Sequence, residues 1–149
     1  MFDVKKILCP TDFSDASKQA IEFAVSLAEK FGAEIHLVHV VPPMPHLEPS
    51  VTAHFDVPEY ERMLSADAKK NLSAAAKSIA KVKTHEILAN GNPAEEILRA
   101  AEEKGIDLIV IATAGHTGWD RVVFGSVAEK VVRRARCPVL TIRRPDAAR

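Results

Sequence analysis

The sequence has no excess of charge of either sign. Its 20 Lys and Arg side chains are balanced by 20 Asp and Glu side chains, so the formal net charge at pH 7 is zero. Such a chain lacks the long-range field that attracts nucleic acid or an anionic membrane. We interpret the one local basic run, at 133–136, as a solvated complement to a helix dipole. Nucleic acid is therefore disfavoured as a partner, and no membrane contact is expected.

Long hydrophobic runs are also missing. No stretch reaches the roughly 18 apolar residues of a spanning helix. The opening segment MFDVKKILCPTDFSD lacks the apolar core, roughly 7–15 residues long, of a secretory signal. We therefore expect a cytosolic protein. A length of 149 residues with 47% apolar side chains suits a single domain over 1–149.

Cysteines are few and catalytic motifs are missing. Cys9 and Cys137 each lie beside a proline, outside any C-x-x-C or metal-ligand spacing, and we interpret both as small buried hydrophobic residues. The sequence contains no G-x-S-x-G motif and no recognisable Cys–His pair. No catalytic residue is predicted, and a dedicated hydrolase is disfavoured.

Histidine spacing gives no support for a metal site. His36 and His39 are three residues apart on a predicted strand and so point to opposite faces, which excludes a chelating pair within that strand. His46 and His54 share a proline-rich segment without regular ligand spacing. No metal ligand is predicted.

What the sequence does contain is an alternation of strand and helix patterns. Strands are predicted at 4–9, 34–41, 84–89, 107–113 and 138–142, and helices at 14–31, 59–81, 93–104 and 126–136. Strict alternation predicts an α/β fold with a parallel sheet and helices on both faces. The segment 42–58, with five prolines, is predicted to be a long surface loop, and 144–149 a tail.

Helix boundaries are indicated by capping residues. Ser14 is placed to cap the first helix and Gly32 to end it. Asn92 and Pro93 suit the N-cap and first position of a later helix, which we expect to end at Gly105.

The turn after the fourth strand contains the strongest candidate for ligand binding. Its glycines match neither G-x-x-x-x-G-K-[ST] nor G-x-G-x-x-G. The turn does lead into a helix start at Gly125-Ser126, where unpaired N–H groups and the helix dipole favour a phosphate. Spacing alone leaves open whether this turn binds an anion or only redirects the chain.

The end of the first strand has two interpretations. Thr11, Asp12 and Ser14 suit the free amides of the helix that follows. If the first and fourth strands are neighbours where the strand order reverses, Asp12 and the glycine turn face one crevice. A carboxylate beside an anion site suits the polar base or ribose of a nucleotide.

Together, these segments resemble the universal stress protein family. The similarity extends from KKILCPTDFSDAS through HLVHVV, GNPAEEIL and GIDLIVIAT to GWDRVVFGSVAEKVVRRARCPVLTIR. The resemblance implies a Rossmann-like, open, five-stranded parallel sheet of order 3-2-1-4-5. It also implies a homodimer formed largely through the last strand, residues 138–143.

Nucleotide-binding members of that family carry G-x2-G-x9-G-[ST] after the fourth strand. Gly115 matches the second glycine, nine residues follow, and Gly125-Ser126 match the closing pair, whereas Ala112 replaces the first glycine. A methyl group at that position crowds a nucleotide, at a cost of roughly 1–3 kcal/mol. His116 stands where many members have Arg or Lys, and an imidazole with a pKa of about 6.5 is mostly uncharged at neutral pH.

The resemblance also assigns the parts of the site. The implied adenine and ribose contacts are Pro10, Thr11 and Asp12, with backbone contacts to the base from Val40. The implied phosphate contacts are Ala112, Gly115, His116, Thr117 and Gly118 in the turn, and Gly125, Ser126 and Val127 at the helix start.

Three hypotheses follow. The leading one is an ATP-binding dimer that uses adenine nucleotide as a signal in stress response, without rapid turnover. The alternative is a nucleotide-free dimeric interaction module, for which Ala112 and His116 are the evidence. The third is a slow ATPase with Mg²⁺ or Mn²⁺ carried by the phosphates. The sequence names no protein partner.

Overall fold

The computed structural model describes residues 2–113 and 125–143. Strands and helices alternate along the chain, with one additional short helix after the second strand. The elements are β1 Lys6–Pro10, α1 Asp15–Phe31, β2 Glu34–Val41, α2 Pro49–Thr52, α3 Val57–Lys77, β3 Thr84–Asn90, α4 Pro93–Lys104, β4 Leu108–Ala112, α5 Ser126–Arg134 and β5 Val139–Ile142.

The five strands form one parallel sheet of order β3-β2-β1-β4-β5. This confirms the predicted α/β class and the strand order that the family resemblance implies. The chain builds outward from β1 first to β2 and β3, and then in the other direction to β4 and β5. The order therefore reverses between β1 and β4, where open sheets form a ligand crevice beyond the carboxyl ends of the strands.

Helices cover both faces of the sheet, as the apolar run of β4 predicts. Alternate strand residues point to opposite faces. One face packs against α1 and α3, through residues that include Ile7, Leu37, Val110, Ala24 and Leu72. The other packs against α4 and α5, through residues that include Leu8, Val38, Ile109, Ile97 and Val131. Burying each large apolar side chain stabilises the fold by about 1.5–3 kcal/mol.

Capping residues set the helix boundaries where the sequence predicts them. Ser14 Oγ accepts a hydrogen bond from Ser17 N at 3.2 Å and begins α1. Gly32 ends α1 with φ of 67°, a left-handed conformation in which an L side chain is strained. Asn92 and Gly105 begin and end α4 in the same manner.

The proline-rich segment 42–58 differs from the loop expected there. It contains α2, and α3 already begins at Val57. Pro49 and Pro58 each lie in the first turn of a helix, where the missing N–H of proline costs nothing. Asp56 caps α3 by accepting a hydrogen bond from Glu59 N at 3.0 Å. Counting prolines as helix breakers therefore overestimated the length of the loop.

The basic run at the end of α5 is exposed, as expected, but it also joins two helices. Arg134 forms an ion pair with Glu95, and Arg136 Nε lies 3.3 Å from Glu102 Oε1; both acids belong to α4. Arg133 pairs within α5. Arg134 therefore links α5 to α4, and Arg136 links the segment after α5 to the same helix, in addition to any effect on the helix dipole.

The two cysteines are free and differ in burial. Cys9 is fully buried, and burial raises the pKa of its thiol to about 12. Cys137 is half-buried. The small-hydrophobic interpretation is confirmed for Cys9 and holds only in part for Cys137. Within 2–113 and 125–143, none of the helices has the length and hydropathy that crossing a membrane requires.

Candidate functional site

The end of β1 is held by hydrogen bonds to its neighbours. Thr11 is buried, and its N–H donates to the Val38 carbonyl at 2.8 Å. Its hydroxyl lies 3.1 Å from Ser17 Oγ and accepts from Phe13 N at 3.1 Å. The Thr11 side chain therefore orders the turn into α1, which is the capping interpretation of this residue.

Asp12 orders the same turn. Its Oδ1 accepts a hydrogen bond from Ser14 N at 3.0 Å and another from the Ser14 hydroxyl. Ser14 in turn caps α1. The carboxylate is thus fixed in position at the carboxyl end of the central strand, beside the switch point.

Phe13 and His39 form a contact that the sequence pattern does not indicate. Phe13 has φ of 65°, an unusual backbone conformation for a bulky residue. Its ring lies 4.4 Å from the His39 ring, and His39 Nδ1 is 2.7 Å from the Thr11 carbonyl oxygen. Strained backbone of this kind concentrates at binding sites. The strained residue, Phe13, directly follows Thr11 and Asp12 in the chain and so lies beside these two candidate residues.

Gly125 brings the chain back to the end of β4. Its N–H donates to the Thr113 carbonyl at 2.7 Å, so the two ends of the glycine turn meet. A Cβ built on Gly125 would lie 3.2 Å from that carbonyl oxygen. Gly115, His116, Thr117 and Gly118 lie outside the described residues.

The start of α5 presents backbone donors. Gly125 is the N-cap and provides no side-chain acceptor, and the Gly125 carbonyl accepts from Glu129 N at 3.0 Å. The N–H groups of Ser126, Val127 and Ala128 belong to the first helical turn and have no acceptor within the helix. Ser126 is exposed and is the first helical residue, not the cap that a serine at a helix start suggests.

The candidate residues that the structure describes lie at the carboxyl end of the sheet. Pro10 ends β1, and Thr11 and Asp12 follow it. Val40 lies near the end of β2, and Ala112 ends β4, which is the neighbour of β1. Gly125–Val127 begin the helix that leaves this end. The arrangement places a carboxylate, a hydroxyl and the amides of a helix start around the switch point, which suits a polar ligand with an anionic group.

A cavity of about 810 Å³ lies next to this site but not on it. It is found beyond the ends of β2 and β3, where Val41, Met44, Pro58, Arg62 and Gly91 are among its lining residues. None of the candidate nucleotide contacts within 2–113 and 125–143 lines it. We base the functional argument on the hydrogen-bonding groups at the switch point, because the cavity offers mainly apolar walls.

A second polar cluster lies at the opposite, amino-terminal end of the sheet. Glu34 and His36 of β2 approach His85 of β3. Contacts with His85 and then with His36 lower the pKa of the Glu34 carboxyl to about 2. Burial lowers the pKa of His36. Comparing His36 only with His39 missed this cluster, because its partner comes from another strand.

Comparison with known proteins identifies the family to which this fold belongs. The profile of the universal stress protein family matches residues 3–143. Universal stress protein MJ0531 of Methanocaldococcus jannaschii is 37% identical over 143 residues, which cover 95% of this chain and 83% of that protein. The chain belongs to the universal stress protein family.

Solved structures of universal stress proteins share this architecture. UspA from Lactobacillus plantarum superposes with a TM-score of 0.82 at 28% identity, covering 95% of this chain and 99% of that one. A universal stress protein from Archaeoglobus fulgidus, in complex with dAMP, superposes with a TM-score of 0.64 at 24% identity, covering 95% and 98%. The latter likeness is one of fold alone. The universal stress protein fold thus extends over nearly the whole chain.

Proposed function

We propose that this universal stress protein is a cytosolic, ATP-binding dimer in which adenine nucleotide acts as a signal and is not rapidly turned over. The observation that carries the proposal is the start of α5. There Gly125 closes the turn after β4, and the amides of the first helical turn, which have no acceptor within the helix, lie at the carboxyl end of the sheet together with Asp12.

The α5 amides suit a phosphate for two physical reasons. Unpaired N–H groups donate to its oxygens, and the positive end of the helix dipole favours its charge. Gly125 has no side chain to occupy these donors. The exposed Ser126 hydroxyl adds a further donor. In the sequence, the G-x9-G-S spacing puts these groups at the end of the turn that follows β4.

The end of β1 suits the nucleoside part of the ligand. Asp12 and Thr11 are fixed by hydrogen bonds in the turn after the central strand. Val40 lies on β2, the strand next to β1, and the backbone of β2 reaches the same carboxyl end of the sheet. A universal stress protein of the same fold is known in complex with dAMP. That complex shows an adenine nucleotide held by this architecture in another member and supports the same ligand class here.

The last strand supports the dimer. β5 lies at the edge of the sheet, and β4 is its one neighbour in the described part of the chain. Three of its four residues are apolar, yet all four are only half-buried. An open strand edge with apolar side chains is suited to pairing with the same strand of a second copy.

The free cysteines are consistent with a reducing, cytosolic compartment.

Ala112 favours a second candidate, a dimeric interaction module without nucleotide. This residue ends β4, where nucleotide-binding members carry glycine. Its methyl group crowds a ligand at the turn and weakens binding by roughly 1–3 kcal/mol. Slow ATP hydrolysis, with Mg²⁺ or Mn²⁺ held through the phosphates, ranks third, because the described residues offer no general base in contact with the phosphate end of the site.

One experiment separates these candidates. Freshly purified protein is denatured and the supernatant is analysed for adenine nucleotide by chromatography; stripped protein is then titrated with Mg²⁺-ATP by calorimetry. We expect saturable binding and no accumulation of ADP on incubation. Absence of released nucleotide together with absence of binding at millimolar ATP contradicts the proposal. A dimer that persists under those conditions then favours the nucleotide-free module.

A further inference from the structure

Strand register brings two histidines and a glutamate together. In the parallel ladder of β2 and β3, His36 lies directly opposite His85. Glu34 precedes His36 by two positions, so the three side chains share one face of the sheet. Their place is the amino-terminal end of the strands, whereas Asp12 and Ala112 lie at the carboxyl end. The cluster is therefore separate from the nucleotide site.

The donor atoms are already close to each other. Glu34 Oε1 is 3.2 Å from His36 Nε2, and Glu34 Oε2 is 3.2 Å from His85 Nε2. One ligand atom from each residue lies within 4.8 Å of the other two. Ligands about 2.0–2.2 Å from a tetrahedral zinc ion are separated from each other by about 3.3–3.6 Å. Small rotations about the side-chain torsions close the remaining gap.

Two ring nitrogens of the cluster make no hydrogen bond within the described part of the chain. Among residues 2–113 and 125–143, buried His36 Nδ1 has no hydrogen-bond partner, and buried His85 Nε2 makes no hydrogen bond although Glu34 Oε2 lies 3.2 Å away. The rings stack with centroids 4.5 Å apart, so both approach the carboxylate side by side. A buried polar atom without a partner calls for a bound water or ion. A cation between the rings and the carboxylate provides a partner for His85 Nε2.

The three side chains of the cluster differ in their exposure to solvent. The His36 side chain is 7% exposed, that of Glu34 23% and that of His85 38%. An ion can therefore enter from the His85 side and keep a water molecule as its fourth ligand. Lys83 Nζ lies 3.5 Å from Glu34 Oε2, but its side chain is 72% exposed and free to withdraw into solvent.

We propose that Glu34, His36 and His85 form a binding site for a divalent transition-metal ion, with Zn²⁺ as the preferred occupant. Two imidazole nitrogens and one carboxylate make a three-ligand set that zinc accepts with an open fourth position. Mg²⁺ and Ca²⁺ prefer ligand sets made of oxygen alone. Because all three ligands stand on adjacent strands of one sheet, the site is preorganised by the backbone.

Calorimetric titration with Zn²⁺ alone tests this proposal. Full-length protein without an affinity tag is stripped with chelator and titrated in the absence of nucleotide, so that no phosphate can carry the ion. We expect one saturable site per chain. His85→Ala is expected to weaken it at least about tenfold, since even outer-shell losses cost roughly 10–100-fold in metal affinity. Visible absorption of bound Co²⁺ gives a second readout of the same ligand set.

His54→Ala serves as the matched control, because His54 is an exposed histidine outside the cluster and its loss should leave the affinity unchanged. Glu34→Gln keeps the shape of the side chain and removes the anionic ligand, so it repeats the test if His85→Ala alters the fold. Equal Zn²⁺ affinity in wild type and in both cluster variants overturns the proposal. So does the absence of saturable binding at millimolar Zn²⁺.

Discussion

A pair of substitutions at Gly125 tests whether the start of α5 holds the phosphates. Gly125 has φ of −55° and ψ of 147°, a conformation open to any L residue. A Cβ there meets the Thr113 carbonyl oxygen at 3.2 Å, so alanine and serine share the same tight contact. The two side chains differ only in the serine hydroxyl. As an N-cap, that hydroxyl can accept a hydrogen bond from the amide of Val127 or Ala128.

The magnitudes follow from that one hydrogen bond. A serine N-cap stabilises a helix by about 0.5–2 kcal/mol relative to alanine. Roughly 1 kcal/mol corresponds to about 2–4 °C in the melting temperature of a protein of this size. A hydrogen bond to a charged group contributes about 1.5–3 kcal/mol, so diverting one amide from a phosphate weakens binding about 10- to 150-fold. Gly125→Ser is therefore expected to be more stable than Gly125→Ala and to bind ATP less tightly.

The assay has two arms. Thermal unfolding without nucleotide compares the stability of the two variants, and calorimetry with Mg²⁺-ATP compares their affinities. If the cap and the phosphates use the same amides, the more stable variant, Gly125→Ser, is also the one that binds ATP less tightly. If Gly125→Ser binds ATP as tightly as Gly125→Ala while melting higher, the phosphates do not use these amides and the assignment of the site is wrong.

Three further predictions concern Ala112, β5 and Glu34. Ala112→Gly removes the crowding methyl and should tighten Mg²⁺-ATP binding by about 1–3 kcal/mol in calorimetry, whereas the same change at the exposed Ala80 should have no effect. In β5 the Pro138 and Ile142 carbonyls face β4, so the Thr141 N–H faces the open edge. Thr141→Pro should weaken the dimer roughly tenfold or more in analytical ultracentrifugation, and Thr141→Val, which keeps the N–H, should not. Because the folded-state pKa of Glu34 is about 2, below its ordinary 4.5, its stabilising contribution is present above about pH 4.5 and lost as the pH falls toward 2. Denaturant titrations with chelator present should therefore show Glu34→Gln less stable than wild type at pH 7 and the difference disappearing in acid; a constant difference contradicts the pairing.

The two ends of the sheet carry different candidate sites. The carboxyl end carries the candidate nucleotide site, built from turns and a helix start, as parallel sheets generally provide. The amino end carries Glu34, His36 and His85, built directly on two strands. If both sites are occupied in one chain, the central strands connect them. Titrating Zn²⁺ with and without ATP then measures whether binding at one site changes affinity at the other.

Much of the fold was predictable because its signals are local. Ser14, Gly32, Asn92 and Gly105 act within a few residues of themselves, so their capping roles follow from sequence order. The alternation of strand and helix patterns likewise requires a parallel sheet. The strand order came from the family resemblance, since periodicity does not specify which strands are neighbours.

Other features were not predicted, for two reasons. In the segment 42–58, Pro49 lies in the first turn of α2, where proline is tolerated, and counting prolines does not reveal that placement. Other features depend on contacts between distant segments. Phe13 meets His39 through the pairing of β1 with β2.

By itself, the sequence determined the α/β class, the helix caps and the position of a glycine turn before a helix start, because each depends on short-range backbone preferences. Only the tertiary structure decided that His36 faces His85 across the β2–β3 ladder and that Gly125 returns to Thr113. For the two histidines, the physical reason is strand register. Which side chains meet across a sheet depends on how two strands are aligned, and that alignment is set by the packing of both faces and not by either strand alone.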